Sequence, residues 1–419
     1  MYDTVIINRR SLSEFPYHDW MDVSKAIIIL NDNLKDTPDS FLKHYGKYIF
    51  SANFDHSSQV DFVARNFIKL YPISQLICTH ERDIMRTQKF RNFAGLKCPY
   101  GTDDFDISSY RNKVLMKKLL AKANIPVAPM KQLNNPSDAF DFLDEFGFPV
   151  IIKPSFGSSS VGIKIINNEE EMLAVLDEIY SSNPVNNADT PTNYHIEKWI
   201  DGDLFHTDGV LYEGKLNFIT VSKYIQGCLS FRHGGVTGSY LLDDKNPLTE
   251  KLEEFTKNII KALPSLKFMT FHCEIFVSYQ NQLICCEIAA RPGGGLVSNV
   301  LEFGFDFNIN KANLFIQLYK PFAVNKQYVA KRSGCFGWLA IPMPLTPTRL
   351  IKELEPCPFP WVVYYKNNLT ILNRIYQDNS QSLNFAISFI IFFITEAEFK
   401  ERSQSLMNWI DEQCIWDLK

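Results

Sequence analysis

Nine cysteines are scattered along the 419 residues and no two stand as CxxC. That spacing excludes a zinc ribbon or a thioredoxin-like redox pair. Cys273, Cys285 and Cys286 lie inside apolar, strand-like runs, so the cysteines read as reduced, buried thiols of a cytoplasmic protein and not as a disulfide framework. An excess of one charge is also missing. Lys and Arg number 43 against 47 Asp and Glu, leaving −4, so neither nucleic acid nor an anionic membrane is expected as partner. No apolar run approaches the roughly 20 residues of a membrane-spanning helix; the longest, 385–394, reads as a buried strand. The opening MYDTVIINRR has no apolar h-region of a signal peptide. No GxGxxG follows the first expected strand, which leaves a dinucleotide site unsupported. No repeat or low-complexity segment is visible.

What is present is ordinary globular composition, 46% hydrophobic and 21% charged, on a chain long enough for two or three domains. The stretch 267–295 organises the rest. Two alternating apolar runs flank Tyr279-Gln280-Asn281-Gln282, the pattern of a β-hairpin. Pairing the strands symmetrically about Gln280-Asn281 sets Glu274 opposite Glu287. Period-two geometry puts His272 and Glu274 on one face with Glu287, Ala289 and Arg291. Directly opposed acids repel at about 4.5–5.5 Å between Cβ atoms. A divalent cation offsets that repulsion, and hard oxygen ligands suit Mg²⁺. Arg291 follows where it can grip a phosphate, and three glycines after it allow backbone close to a ligand. The plain alternative is an exposed sheet face with its acids apart under solvent.

Ahead of this hairpin, short β-rich runs at 4–7, 26–30, 48–50 and 73–78 alternate with helical segments such as 60–70. They predict a small parallel α/β domain over residues 1–105. Residues 110–124 read as a helix capped by Ser108 or Ser109, with Lys113 in its first turn, where a lysine opposes the helix dipole. A second helix, 139–146, is ended by Gly147. The strand 148–154 ends on Lys153, and the loop Gly157-Ser158-Ser159-Ser160-Val161-Gly162 leads into a strand at 163–166. A Gly/Ser loop with a lysine at its mouth can wrap phosphates, although its order is not that of a Walker A motif. A helix at 170–180 and an exposed loop at 181–192 precede Glu197-Lys198-Trp199-Ile200-Asp201-Gly202-Asp203. His206 and Asp208 share a face of the next strand, where each also fits a plain structural role. Residues 226–238 are glycine-rich, contain Arg232 and His233, and read as a mobile loop beside a site. An amphipathic helix covers 250–263. Beyond about 325 the pattern becomes strands and proline-punctuated loops closed by a helix at 396–412, an α+β region without visible chemistry.

The order Lys113, Lys153 with its loop, Glu197-Lys198-Trp199-Ile200, then Glu274, Glu287 and Arg291 resembles the ATP-grasp superfamily over about residues 80–300. Within it, the segment IEKWIDG is similar to the adenine hinge of D-alanine–D-alanine ligases, and EIAARPGGG to the metal strand of L-amino-acid ligases. The resemblance implies an α/β and α+β architecture: an N-terminal Rossmann-like domain at 1–105, an ATP-grasp domain at 106–325 with a lid at about 128–200, and a C-terminal α+β extension at 326–419. It implies that Lys113 and Lys153 contact ATP phosphates and that the 157–162 loop closes over them. Glu197 and the backbone around Lys198, Trp199 and Ile200 would read the adenine, Glu274 and Glu287 would hold Mg²⁺ (or Mn²⁺), and Arg291 would stabilise the transferring phosphoryl. Arg232 or His233 would border the second-substrate pocket.

Two departures stand out. Many members carry Asn two residues after the second metal-binding Glu, where this chain has Ala289. The ribose-binding acid falls by spacing on Leu204, with Asp203 the nearest carboxylate. The implied activity is ATP-dependent amide formation between a small-molecule carboxylate and an amine, both expected to be amino acids, through an acyl phosphate; a homo-oligomer is compatible with it. Alternatives are an ATP-grasp carboxylase or purine-pathway ligase, against which no biotin-attachment MKM is present, and a non-catalytic ATP-binding regulatory protein.

Overall fold

The computed structural model describes residues 1–55, 57–101, 104–158, 160–181, 193–226, 235–322, 334–377, 385–413 and 415–416. The apolar runs near the N-terminus form strands β1 (Thr4–Asn8), β2 (Ala26–Asn31), β3 (Lys47–Ser51) and β4 (Gln75–Cys78). They pair in parallel in the order β3-β2-β1-β4. Val5, Ile7, Ile27 and Ile29 enter one core, and Ile6, Ile28 and Leu30 another on the opposite face. Burial on both faces is why β1 and β2 read as unbroken apolar runs. The turn after β4 carries Glu81 past the carboxyl end of the sheet, the edge where α/β sheets present ligand-contacting groups.

A second sheet is antiparallel, with strands β5 (Met130–Gln132), β6 (Val150–Pro154), β7 (Lys164–Ile166) and β8 (Tyr194–Lys198) in the order β5-β8-β6-β7. Helices Ser137–Phe146 and Glu169–Ser181 cover one face through Phe142, Met172 and Leu176, packed on Val150, Ile152 and Ile196. Alternation then turns Ile151 and Lys153 to the other face, toward a cleft.

The far wall of that cleft is an eight-stranded sheet. It contains β9 (Gly202–Tyr212), β10 (Lys215–Tyr224), β11 (Thr237–Leu241), β12 (Met269–Ser278), β13 (Leu283–Ala289) and β14 (Cys335–Pro342). A two-stranded ribbon, β15 (Thr348–Arg349) with β17 (Ile375–Tyr376), stands beside it. Strands β16 (Val362–Asn367) and β18 (Phe385–Phe393) complete the large sheet in the order β13-β12-β9-β10-β11-β14-β18-β16. The strands beyond residue 326 therefore do not stand apart but continue the sheet that holds the hairpin. The apolar run at 385–393 is a strand paired on both sides and buried on both faces.

Local readings shift in two places. The helix expected over 110–124 is Lys113–Lys122, and its cap is Asn112, whose Oδ1 accepts from the Val114 and Leu115 amides at 3.0 and 3.2 Å. Ser108 instead closes the preceding short helix, Asp104–Ser108. Gly238, expected in a loop, lies in β11 opposite Leu339, where a Cβ would meet the Trp338 carbonyl at 2.2 Å. Among the described residues no helix is long and apolar enough to cross a membrane.

Candidate active site

The hairpin β12–β13 forms the floor. Its turn closes with the Asn281 amide donating to the Ser278 carbonyl at 2.8 Å, and Asn281 takes a left-handed φ of 61°. Next to the turn Val277 faces Leu283 and Ile275 faces Cys285, yet Glu274 faces Glu287 and His272 faces Ala289. Cys286 is the extra residue that shifts the register, a β-bulge. The opposition of Glu274 and Glu287 is the expected one. The bulge also breaks strict alternation, so Cys286 and Glu287 both look into the cleft beside Glu274.

Each acid is held. Glu287 Oε2 lies 2.7 Å from Lys113 Nζ, which also donates to the Gly157 carbonyl at 2.9 Å. Glu274 Oε1 accepts from the Tyr224 hydroxyl at 3.0 Å and lies 3.5 Å from His272 Nε2. Burial pushes the Glu274 carboxyl up, but His272 and Tyr224 outweigh it and hold it at about 2. The same residue pair appears from the other side: burial pulls His272 down, and Asp208 with Glu274 lifts it to about 9. Glu274 is thus a carboxylate and His272 an imidazolium at neutral pH.

The roof is built on a buried carboxylate. Glu197, on β8, lies 2.9 Å from Lys153 Nζ and 2.7 Å from Lys117 Nζ, and 2.9 Å from His195 Nε2. Burial raises its pKa, but the two ammonium groups drive it well below the ordinary carboxylate range. Lys153 is shifted up by the same pairing, burial notwithstanding. Glu197 therefore orients the two lysines while itself lining the cleft. Lys198 turns its ammonium away, to the Phe146 carbonyl at 2.6 Å, and Trp199 donates to Asp201 at 2.7 Å. Lys117 was not among the expected site residues; it lies one turn past Lys113 on the same helix, the spacing that could have found it.

Gly157, Ser158, Ser160 and Val161 line the cleft. Gly162 (φ +74°) sits against Pro154, whose Cγ a Cβ would meet at 2.9 Å. Ser159, Arg232 and His233 lie outside the described residues. Asp203 borders the cleft, but its carboxylate is 56% exposed and pairs with Lys223 at 2.7 Å. Arg291 also reaches the cleft. Its Nε donates to Glu81 at 2.7 Å and its Nη1 to the Pro292 carbonyl at 2.8 Å, while Nη2 has no hydrogen-bond partner among the described residues. Glu81 also takes a bond from Arg111, whose Nη2 donates to the Phe156 carbonyl at 2.8 Å. Two of the three glycines after Arg291 serve protein contacts. A Cβ at Gly293 would meet Asp208 Oδ1 at 2.8 Å, and one at Gly295 the Trp338 ring at 2.5 Å.

The cleft between roof and floor has a volume of about 470 Å³, within the roughly 300–1,000 Å³ of small-molecule sites. Two opposed carboxylates on its wall are a hard oxygen donor set of the kind Mg²⁺ or Mn²⁺ takes. Lys113, Lys153 and Arg291 add fixed positive charge for an anion such as a polyphosphate.

Residues 146–300 match the ATP-grasp domain family. The chain is 27% identical over 292 residues to an L-arginine-specific L-amino acid ligase of Bacillus subtilis, covering 69% of this chain and 67% of that protein. It is 31% identical over 174 residues to a D-alanine–D-alanine ligase of Bacillus anthracis, covering 40% of this chain and 51% of that one. The fold superposes on an L-amino acid ligase of Bacillus licheniformis with a TM-score of 0.73 over 97% of each chain, at 13% identity.

Proposed function

We propose, for a chain that carries an ATP-grasp domain and is an ADP-forming carbon–nitrogen ligase, that it joins the carboxylate of one amino acid to the amine of a second. The observation that carries this reading is the opposition of Glu274 and Glu287 on the cleft floor, with Lys113 on one and Arg291 beside them.

Charge dictates the sequence of events. A carboxylate resists attack by an amine. Its oxygen first attacks the ATP γ-phosphorus, the bond to the β-phosphate oxygen breaks, and ADP leaves an acyl phosphate. Both partners are anionic, so positive charge must already stand where they meet. Lys153 is held there by Glu197, and Lys113 reaches the same space from the helix Lys113–Lys122. Glu274 and Glu287 would hold a divalent cation, which would supply further neutralisation for the phosphates. The amine then attacks the acyl carbon, loses a proton, and phosphate departs. Arg291, aimed by Glu81, offers its Nη2 donors to the oxyanion of that step. Acyl phosphates hydrolyse readily, so closure of the β5–β8 sheet with its 157–162 loop serves to exclude water.

The test measures phosphate release from ATP and Mg²⁺ against a matrix of amino acids, with product masses read in parallel. Release that requires both a carboxylate and an amine, with a dipeptide mass, is the expected result. Release requiring bicarbonate points to carboxylation instead, and no release under any pairing to a nucleotide-binding protein without turnover.

A further inference from the structure

We infer that Asp208 and His272 are positioning residues for Glu274, the last links of a buried hydrogen-bonded row that begins in the C-terminal strands. The inference rests on the reading of Glu274 as a cation ligand.

The row runs from β14 across the large sheet to β12, with one step along β9. Trp338 on β14 donates from Nε1 to Ser239 Oγ on β11 at 2.8 Å. Ser239 Oγ lies 2.8 Å from His206 Nε2 on β9. His206 Nδ1 is 2.6 Å from Asp208 Oδ2, and Asp208 Oδ1 is 2.8 Å from His272 Nδ1 on β12. His272 Nε2 then points to Glu274 Oε1 at 3.5 Å and to the Tyr224 hydroxyl at 3.4 Å. Ser239 with Trp338, and Asp208 with His272, are directly opposed ladder partners. All five residues from Trp338 to His272 are at most 3% exposed.

Indole can only donate, so Ser239 Oγ accepts from Trp338 Nε1; toward His206 Nε2 the same hydroxyl donates to a neutral ring or accepts from a protonated one. Asp208 can only accept, so each imidazole presents Nδ1–H to one of its oxygens. His206, Asp208 and His272 bring ligand-type atoms within 4.8 Å of one another, but these bonds already use those atoms. The group is a brace, and the atom it delivers to the cleft is His272 Nε2.

Glu274 needs a brace. It faces a like charge across a ladder pair, and the orientation of a cation ligand is commonly set by such outer partners. The loop after Arg291 rests on the same row, through Gly293 against Asp208 and His272 and Gly295 against Trp338. One support therefore carries both the acid and the segment that follows the guanidinium. It also gives the C-terminal strands a part in the site, since Trp338 closes the row.

The experiment reads Mn²⁺ binding by spin resonance in the full-length protein saturated with an ATP analogue that cannot transfer its γ-phosphoryl. His272→Asn keeps a donor toward Asp208, so the buried carboxylate stays paired, but removes the one toward Glu274. His272→Gln does the reverse. Asp208→Asn breaks the link from behind. His272→Asn and Asp208→Asn should raise the Mn²⁺ dissociation constant about 10-fold, in the range typical of lost outer partners of a metal ligand. His272→Gln should recover most of it, and nucleotide affinity in EDTA should change less than about twofold. The inference is overturned by a folded His272→Asn protein that binds Mn²⁺ within about twofold of the parent. It is equally overturned if nucleotide affinity in EDTA falls as much as metal affinity, the mark of a merely structural role. Glu274→Gln is the control: unchanged Mn²⁺ affinity there removes the ligand reading itself, whereas a loss there without one in His272→Asn removes this inference alone.

Discussion

Arg291 donates to Glu81 across 210 residues of sequence, from the floor of the cleft to the turn after β4 in the N-terminal sheet, at 2.7 Å. Glu81 is 5% exposed and is also bonded by Arg111. The guanidinium is thus aimed by one part of the fold into a cleft made by two others. A group that must meet a developing oxyanion gains from such fixed orientation, because small misplacements of reacting groups cost about 10²-fold in rate.

Glu81→Gln keeps the shape and removes the charge. The expected outcome is a fall in kcat of up to about 100-fold, with a much smaller change in ATP affinity, since Glu81 bonds neither Lys153 nor Lys117. Steady-state kinetics alongside nucleotide titration separates the two. Equal losses in both would argue that Glu81 holds the domains together without aiming Arg291.

Acid sensitivity follows from the buried carboxylates. Burial raises Glu81 and Glu197, but Arg291 and Arg111 on the first, and Lys117 and Lys153 on the second, hold both below their ordinary 4.5. A carboxyl depressed in the folded state contributes stability that is fully present above the unfolded value and is lost as pH falls toward the folded one. Melting temperature should therefore be steady on this account above about pH 5 and decline progressively below about pH 4.5. Glu197→Gln should show a flatter decline than the parent, read by thermal unfolding at stepped pH.

The thiol of Cys286 gives a third test. The bulge turns it into the cleft, and burial pushes it up to about 12 despite Lys153 nearby. The thiolate is the nucleophile, so at pH 8 Cys286 should alkylate slowly with iodoacetamide, and more slowly still with ATP and Mg²⁺ present. Peptide mass spectrometry over time reads both. Rapid labelling indifferent to nucleotide would place this side chain away from the nucleotide.

What the sequence made legible was local. Period-two alternation placed Glu274 and Glu287 on one face, and the lysine before a Gly/Ser loop marked Lys153. The bulge at Cys286 was not legible, because an extra residue in a strand leaves no mark in an alternating apolar run. Glu274 meets Glu287 although the turn sits off the centre assumed from the sequence, and the bulge makes up the difference. The partners that tune the site come from far along the chain: Glu81 for Arg291, Tyr224 for Glu274, Lys117 for Glu197. Periodicity reports which way a residue faces on its own element, not which element lies opposite. The same limit hid the C-terminal strands, whose apolar runs were visible but whose place beside β11 depends on pairing across 99 residues between Ser239 and Trp338.

The roof supplies the last test. Glu197 sits between two ammonium groups, Lys117 and Lys153, with His195 held below its ordinary value by burial and so neutral. The buried group carries one positive charge in excess, and that surplus is what an anionic nucleotide would meet. Lys117→Met removes the surplus but leaves Glu197 paired with Lys153, so nucleotide affinity should fall roughly 10-fold, equivalent to about 1.4 kcal/mol, with a smaller loss of stability. Glu197→Gln does the opposite. It strands two buried ammonium groups, and breaking a buried pair by removing one partner costs about 3–5 kcal/mol, so its melting temperature should drop well below that of Lys117→Met. Nucleotide titration and thermal unfolding of the two variants should therefore rank them in opposite orders at neutral pH. A Glu197→Gln protein that melts no lower than Lys117→Met would mean that Glu197 is not what keeps the lysines in place.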